Sequence, residues 1–378
     1  MKGPRLSVGA IPRRLIIGVL AAVVLVTVPL LAFANNSASS SNTQHDRPTF
    51  IGLGSPAGSP AVSPALSSAR TPSATPGMPS PSPSPSPSAT AAPTASPSPR
   101  PLDPHPWLAW RPSGIGQVVD ATFAGPWTQG SATTWVTIYT PPGYSTKSSR
   151  RYPVLYEAPY AYSHWNRAAN LSNQLDALID SGQMPPAIVV AMTTAGGPYA
   201  TSECTNSYDR REWFDTYVAQ TVVPWVDSHY RTIVESRARA VFGASQGGYC
   251  AAALAARHPH LFGTSLVYSG YFHAGGVGPP STLPFGTDQS FIDAASPDAL
   301  IFDMTRVTRA NLYYILVAKS SQPLYGEEAV RFDKLLTQAG MTHKFIESAV
   351  PHGWAQVRAE FAAGMEAWAA RMVSQGVF

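Results

Sequence analysis

Two residues far apart in the chain could do acyl-transfer chemistry together. They are Ser245, in Gly243-Ala244-Ser245-Gln246-Gly247-Gly248, and His352, in Pro351-His352-Gly353-Trp354. A serine hydroxyl is a weak nucleophile until a base takes its proton and the backbone lifts it clear. A Gly-x-Ser-x-Gly turn between a strand and a helix does the lifting, because it strains the serine and aims its oxygen above the sheet edge. Small residues on both sides permit that close approach, and the helix N-terminus offers free N–H groups to a developing oxyanion. Arg239 to Phe242 is β-rich and Tyr249 to Arg257 is alanine-rich, so both elements are in place. The pentapeptide alone also marks glycine-rich turns without chemistry. Its placement, with a histidine downstream, points to a nucleophile.

The base follows from chain order, which on such sheets runs serine, acid, histidine. His258 and His260 flank Pro259 at the far end of the nucleophile helix and read as surface residues. His343 opens a strand at the end opposite the site, and His273 precedes the loop where the acid belongs. His352 follows the last strand and opens the final helix, which suits a base; a histidine that only caps that helix is the alternative. The acid belongs after the strand Leu312 to Ala318, yet Lys319 to Gly326 holds no carboxylate. Glu327 is the nearest, then Glu328, and both also suit the first turn of a helix, where the dipole favours acids. Glu327 is the chosen candidate; Asp333 reads as solvated. The oxyanion donors are expected at the Gln246 N–H and in the loop near Tyr160 and Ala161. Tyr162 and Trp165 beside that loop could line an acyl pocket or simply pack.

The elements that must position these residues read as alternating strands and helices. Gln117 to Ala124 and Thr133 to Thr140 form an antiparallel lead pair. Strands follow at Tyr152 to Tyr156, Pro186 to Met192, Ala238 to Phe242, Gly263 to Tyr268, Leu312 to Ala318 and His343 to Val350. Helical spacing covers Leu171 to Ser181, much of Glu212 to Tyr230, Glu327 to Ala339 and Trp354 to Met372. The fold class is α/β, a mostly parallel sheet covered on both faces, with ligands at the carboxyl ends of its strands.

Composition divides the chain into residues 1–34, 35–104 and 105–378. Basic residues precede an uncharged apolar run, Leu15 to Ala34, which is the pattern of an exported N-terminus. The run is long enough to span a bilayer, while Ala32-Phe33-Ala34 suits signal cleavage, so signal and anchor both stand. Residues 35–104 are rich in Ser, Pro, Ala and Thr, centred on a Pro-Ser repeat, and too polar to form a core. They read as a semi-rigid spacer. The expected location is extracellular or cell-wall associated, with membrane contact only through residues 15–34. Two cysteines, Cys204 and Cys250, are expected to pair in an exported chain, clamping a loop to the nucleophile helix. A net charge of +4 without a basic run excludes nucleic acid as a partner. No metal or cofactor is expected.

Several segments resemble the esterase family of α/β-hydrolases, which includes S-formylglutathione hydrolases, enterobactin esterases, feruloyl esterases and mycolyltransferases. These are Tyr152-Pro153-Val154-Leu155-Tyr156, Val223-Pro224-Trp225-Val226-Asp227-Ser228-His229-Tyr230-Arg231, the elbow itself and Arg257-His258-Pro259-His260-Leu261-Phe262-Gly263, in the family's order. The likeness runs roughly from Gln117 to Trp368. The N-terminal run and spacer look like an actinobacterial, membrane-anchored member. It implies an α/β-hydrolase fold, Ser245 as nucleophile and His352 as base. Two departures stand out. Pro159-Tyr160 replaces the usual His-Gly of the oxyanion loop, and the usual Asp is missing near Ser321 or Gln322. Mycolyltransferase-like members use a Glu, which agrees with Glu327. The expected function is an exported serine esterase acting on small-molecule, lipid or sugar esters through an acyl-enzyme on Ser245. Transfer to a sugar or lipid alcohol, or a degenerate wall-associated binding module, are the alternatives.

Overall fold

The computed structural model describes residues 105–128, 131–159, 171–193, 203–278 and 282–378. The proposed signal or anchor and the spacer lie outside these residues, as do Tyr160, Ala161, Tyr162 and Trp165. Among the described residues no helix is long and apolar enough to cross a membrane.

Eight strands form one sheet: β1 Gln117–Thr128, β2 Ser131–Thr140, β3 Val154–Glu157, β4 Ile188–Met192, β5 Arg239–Ala244, β6 Thr264–Tyr268, β7 Tyr313–Ala318 and β8 His343–Glu347. Their order is β1-β2-β4-β3-β5-β6-β7-β8. β1 pairs with β2 and β2 with β4 antiparallel, and every later pair is parallel. The central strands are short apolar runs buried on both faces, as parallel strands between helices must be.

Helices α1 Leu171–Ser181 and α9 Trp354–Ser374 cover one face, packing Leu175, Ile179, Phe361 and Trp368 onto Leu155, Val189 and Leu266. The other face carries α2 Phe214–Tyr217, α3 Val223–His229, α4 Gln246–Arg257 and α8 Tyr325–Gln338, over Tyr156, Val190, Val241 and Leu316. Between β6 and β7 run three short helices, α5 Gln289–Ala295, α6 Pro297–Asp303 and α7 Arg306–Asn311. The single helix expected from Glu212 to Tyr230 is instead α2 and α3, joined by a π-helical stretch at Val218–Val222. Pro224, in the first turn of α3, has no N–H to continue an α-helical ladder from α2.

The hydrogen-bond ladder continues past the strand ends at the carboxyl edge. Ala158 N–H donates to Phe242 O, Ser245 N–H to Tyr268 O, Ser269 N–H to Val317 O and Ser348 N–H to Ala318 O. The loops after β3, β5, β6, β7 and β8 therefore start from one braced edge. Cys204 and Cys250 form a disulfide with Cα atoms 5.3 Å apart, tying the loop before α2 to α4.

Candidate active site

Ser245 sits between β5 and α4 with φ 57° and ψ −122°, a conformation L-residues avoid unless their surroundings impose it. Its glycine neighbours explain why the turn closes. A Cβ on Gly243 would lie 2.2 Å from the Gly247 carbonyl oxygen, and one on Gly248 would lie 2.9 Å from Gly270 Cα. Strand and helix backbones touch here, and only glycine allows it. α4 opens at Gln246, whose N–H is one of the first four that a helix leaves without an internal acceptor. The residue expected to supply the first oxyanion donor thus directly follows the serine. Ala161, the second expected donor, falls outside the described residues.

His352 lies in the loop between β8 and α9. That loop is held from below by Gln356, which is buried; its Nε2 donates to Val350 O at 2.9 Å, and its Oε1 accepts from Ser269 Oγ at 2.6 Å. One side chain thus joins the loop after β6 to the loop that carries the histidine. Ser348 Oγ donates to Glu360 Oε1 at 2.9 Å and accepts from Val350 N–H at 3.0 Å, bracing the same loop. Ser245, His352, Ala244, Gly353 and Trp354 line one small, mostly apolar cavity. The structure therefore brings the two residues together. His352 Nε2 is buried and has no hydrogen-bond partner among the described residues. Burial lowers the imidazole pKa below its ordinary 6.5, against a smaller opposing effect of its own backbone, so the ring is neutral at pH 7 and able to accept a proton.

Glu327 does not reach this histidine. It is exposed at the first turn of α8, where its carboxylate accepts from Leu324 N–H at 3.4 Å, and it makes no hydrogen bond to His352. Glu328 is bound to Arg331 at 2.8 and 2.9 Å. Both acids do what the start of a helix asks of them. What touches His352 instead is an amide and a phenol. Gln322 Oε1 accepts from His352 N–H at 2.6 Å. The Tyr325 ring stacks on the imidazole, centroids 4.0 Å apart and 8° from parallel, and its hydroxyl lies 3.5 Å from Ser245 Oγ. Gln322 occupies the segment where the resemblance calls for an Asp. Reading residue types alone misses both contacts: the absent acid is the one signal, and stacking leaves none.

Three other histidines after Ser245 are engaged elsewhere. His258 Nε2 meets Asp215 at 2.8 Å at the far end of α4, His343 meets Asp333 at 3.0 Å, and His273, part exposed, meets Asp298 at 3.2 Å. Among the described residues no cluster of His, Cys, Asp and Glu could hold a metal ion.

The family model described as "Putative esterase" matches residues 130–324, more than half of the 378 residues. The chain belongs to this esterase family. The match contains Ser245 and ends just before Tyr325. Among curated relatives, the MPT51 antigen of Mycobacterium leprae is 29% identical over 116 residues, 31% of this chain; the chain spans 38% of that relative's length. Among solved structures, a ferulic acid esterase aligns with TM-score 0.57 at 17% identity, over 68% of this chain and all of its own. The S-formylglutathione hydrolase of Agrobacterium tumefaciens aligns with TM-score 0.56 at 13% identity, over 68% and 96%. FphF, a fluorophosphonate-binding serine hydrolase of Staphylococcus aureus, gives 0.56 at 13%, over 68% and 99%. At these identities the structures share its fold, the α/β-hydrolase fold. Family and fold together make the chain a member of this esterase family with the α/β-hydrolase fold.

Proposed function

We propose that the protein is an exported serine esterase that cleaves carboxylic esters through an acyl-enzyme on Ser245. The observation that carries this reading is the shared cavity, lined by a strained serine and by an imidazole whose buried nitrogen has no partner among the described residues. In the reaction Ser245 Oγ attacks the ester carbonyl and its proton passes to His352 Nε2. The oxyanion forms next to the Gln246 N–H, and the imidazolium returns the proton to the departing alcohol. Water then repeats the sequence on the acyl-enzyme. The resting structure holds no Ser245–His352 hydrogen bond, and such contacts commonly tighten only with substrate present.

Export is part of this proposal. Its supports are the basic and then apolar N-terminus, the Pro/Ser-rich stretch, and the Cys204–Cys250 disulfide, a bond that persists in oxidising compartments. Residues 15–34 would act as signal or anchor and 35–104 as spacer. Protease digestion of intact cells tests this: an exported domain is cut, and an internal one is protected.

A fluorophosphonate probe tests the chemistry. The folded protein is expected to be labelled, and Ser245→Ala to lose the label. A folded protein that takes no label overturns the esterase. That outcome favours the second reading, a wall-associated binding module, for which Gln322 in the acid's segment speaks. Product analysis with an added sugar or lipid alcohol separates hydrolysis from acyl transfer.

A further inference from the structure

Tyr325 is held against the site by a single tight turn. Leu324, just before it, has φ 67°, a left-handed conformation unusual for leucine. A Cβ on Gly326, just after it, would lie 2.2 Å from the Lys319 carbonyl oxygen, so the turn is packed onto itself. Gln322 N–H donates to Lys319 O, and Gly326 N–H donates to Gln322 O. Strain of this kind persists only where the surroundings impose it. The turn meets His352 twice, through the Gln322 amide on its backbone and the Tyr325 ring on its imidazole.

A serine–histidine pair needs two services from its third member: orientation of the imidazole, and stabilisation of the positive charge it acquires. Gln322 is neutral and bonds to the backbone N–H, so it supplies neither to the ring. The carboxylates on β8, on the first turn of α8 and on the first two turns of α9 are committed elsewhere: Glu327 to Leu324 N–H, Glu328 to Arg331, Glu347 to Ser320 N–H and Glu360 to Ser348. Glu157, at the end of β3, is pushed towards its neutral form by burial. An aromatic face carries partial negative charge and attracts a cation laid over it. We propose that Tyr325 is a positioning residue that does the work of the missing carboxylate: its ring face supports the imidazolium of His352, and its hydroxyl keeps Ser245 in register with that ring.

The proposal rests on the Ser245–His352 reading. In the step it serves, the proton leaves Ser245 Oγ as the new C–O bond forms, and it is held on His352 Nε2 until the leaving oxygen takes it. A stacked cation on an aromatic face accounts for roughly two- to thirtyfold in such an equilibrium.

Tyr325→Leu keeps an apolar side chain of moderate size and removes the aromatic face. Its kcat/KM on a p-nitrophenyl ester is expected to fall about tenfold or more, and the His352 ring, followed by NMR, to titrate at lower pH than in the wild type. Tyr325→Phe keeps the face and should lose less of both. Gln322→Glu added to Tyr325→Leu should raise the His352 titration point and recover activity, because a carboxylate replaces the lost support. Pentafluorophenylalanine at position 325 keeps the ring's shape and reverses its charge distribution; if the leucine variant fails to fold, this one must still lower the titration point. A folded leucine variant whose His352 titrates as in the wild type overturns the proposal, whatever its activity. A wild-type protein that neither labels nor turns over overturns the esterase, and the NMR comparison still decides the role of the ring.

Discussion

Glu157 ends β3 with its side chain on the face covered by α1 and α9, level with Ala191 and Phe242. It is buried. Burial alone pushes its carboxyl well above the ordinary 4.5. In the unfolded chain the group ionises near that ordinary value. As pH rises above about 4.5 the unfolded state therefore loses a proton that the folded state keeps, and stability falls until the folded group also ionises. Glu157→Gln removes this loss. Its midpoint of thermal unfolding is expected to exceed that of the wild type at pH 7 to 8, with the gap closing towards pH 4. A gap that does not change with pH means Glu157 is ionised in the folded protein and paired. The residues that were legible in the sequence share a feature: their neighbours in the chain make their environment. Ser245 is set by the glycines beside it, and His352 by the strand and helix on either side. Tyr325, Gln322 and Glu157 take their roles from contacts across the fold, which residue spacing does not encode. Glu327 shows the converse, since a first-turn acid looks the same whether it caps a helix or serves a histidine.

At the scale of elements, α4 is where local sequence and tertiary structure agree most closely. Alanine favours the helix, and the glycines let it start against β5. Its first turn carries the proposed oxyanion donor, and one turn later Cys250 bonds it to Cys204. The loop it grips is strained, with Glu203 at φ 48° and Cys204 at φ 50°. The partners are 46 residues apart, and on the chain-entropy estimate closing such a loop stabilises the fold by about 4 kcal/mol. The double change Cys204→Ala with Cys250→Ala is expected to lose about 2 to 4 kcal/mol in urea unfolding and to make added reductant without effect. A double variant as stable as the oxidised wild type would mean that Arg257 holds the loop unaided, through Asp215 at 2.7 Å and the Cys204 carbonyl at 2.6 Å. The buried parallel strands were legible because β-branched runs between turns have few other uses. α5, α6 and α7 were not, being six or seven residues each and too short for a periodicity to show.

Across the whole described domain, His352 and residue 105 mark opposite ends of the same helix. α9 starts at Trp354 beside the cavity and runs 21 residues, about 30 Å at 1.5 Å per residue. Near its far end the short 3-10 helix Pro106–Trp110 folds back, and Trp107 packs between Ala369, Val373 and Phe378. Trp107 has no exposed surface, and its Nε1 donates to Gly182 O at 2.9 Å, just ahead of β4 at the amino edge of the sheet. Arg150 lies over the Trp110 ring at 4.0 Å and donates to its carbonyl, fixing the same hook from the other side. Trp107→Ala in the full chain opens a cavity and leaves the Gly182 carbonyl unpaired, at a cost of about 3 to 5 kcal/mol. Urea unfolding measures that loss. Fluorophosphonate labelling under folding conditions should match the wild type, because no contact of Trp107 reaches Ser245 or His352. Unchanged stability would show the hook to be an ornament of the surface, and lost labelling in folded protein would show that α9 transmits disturbance along its length to the site.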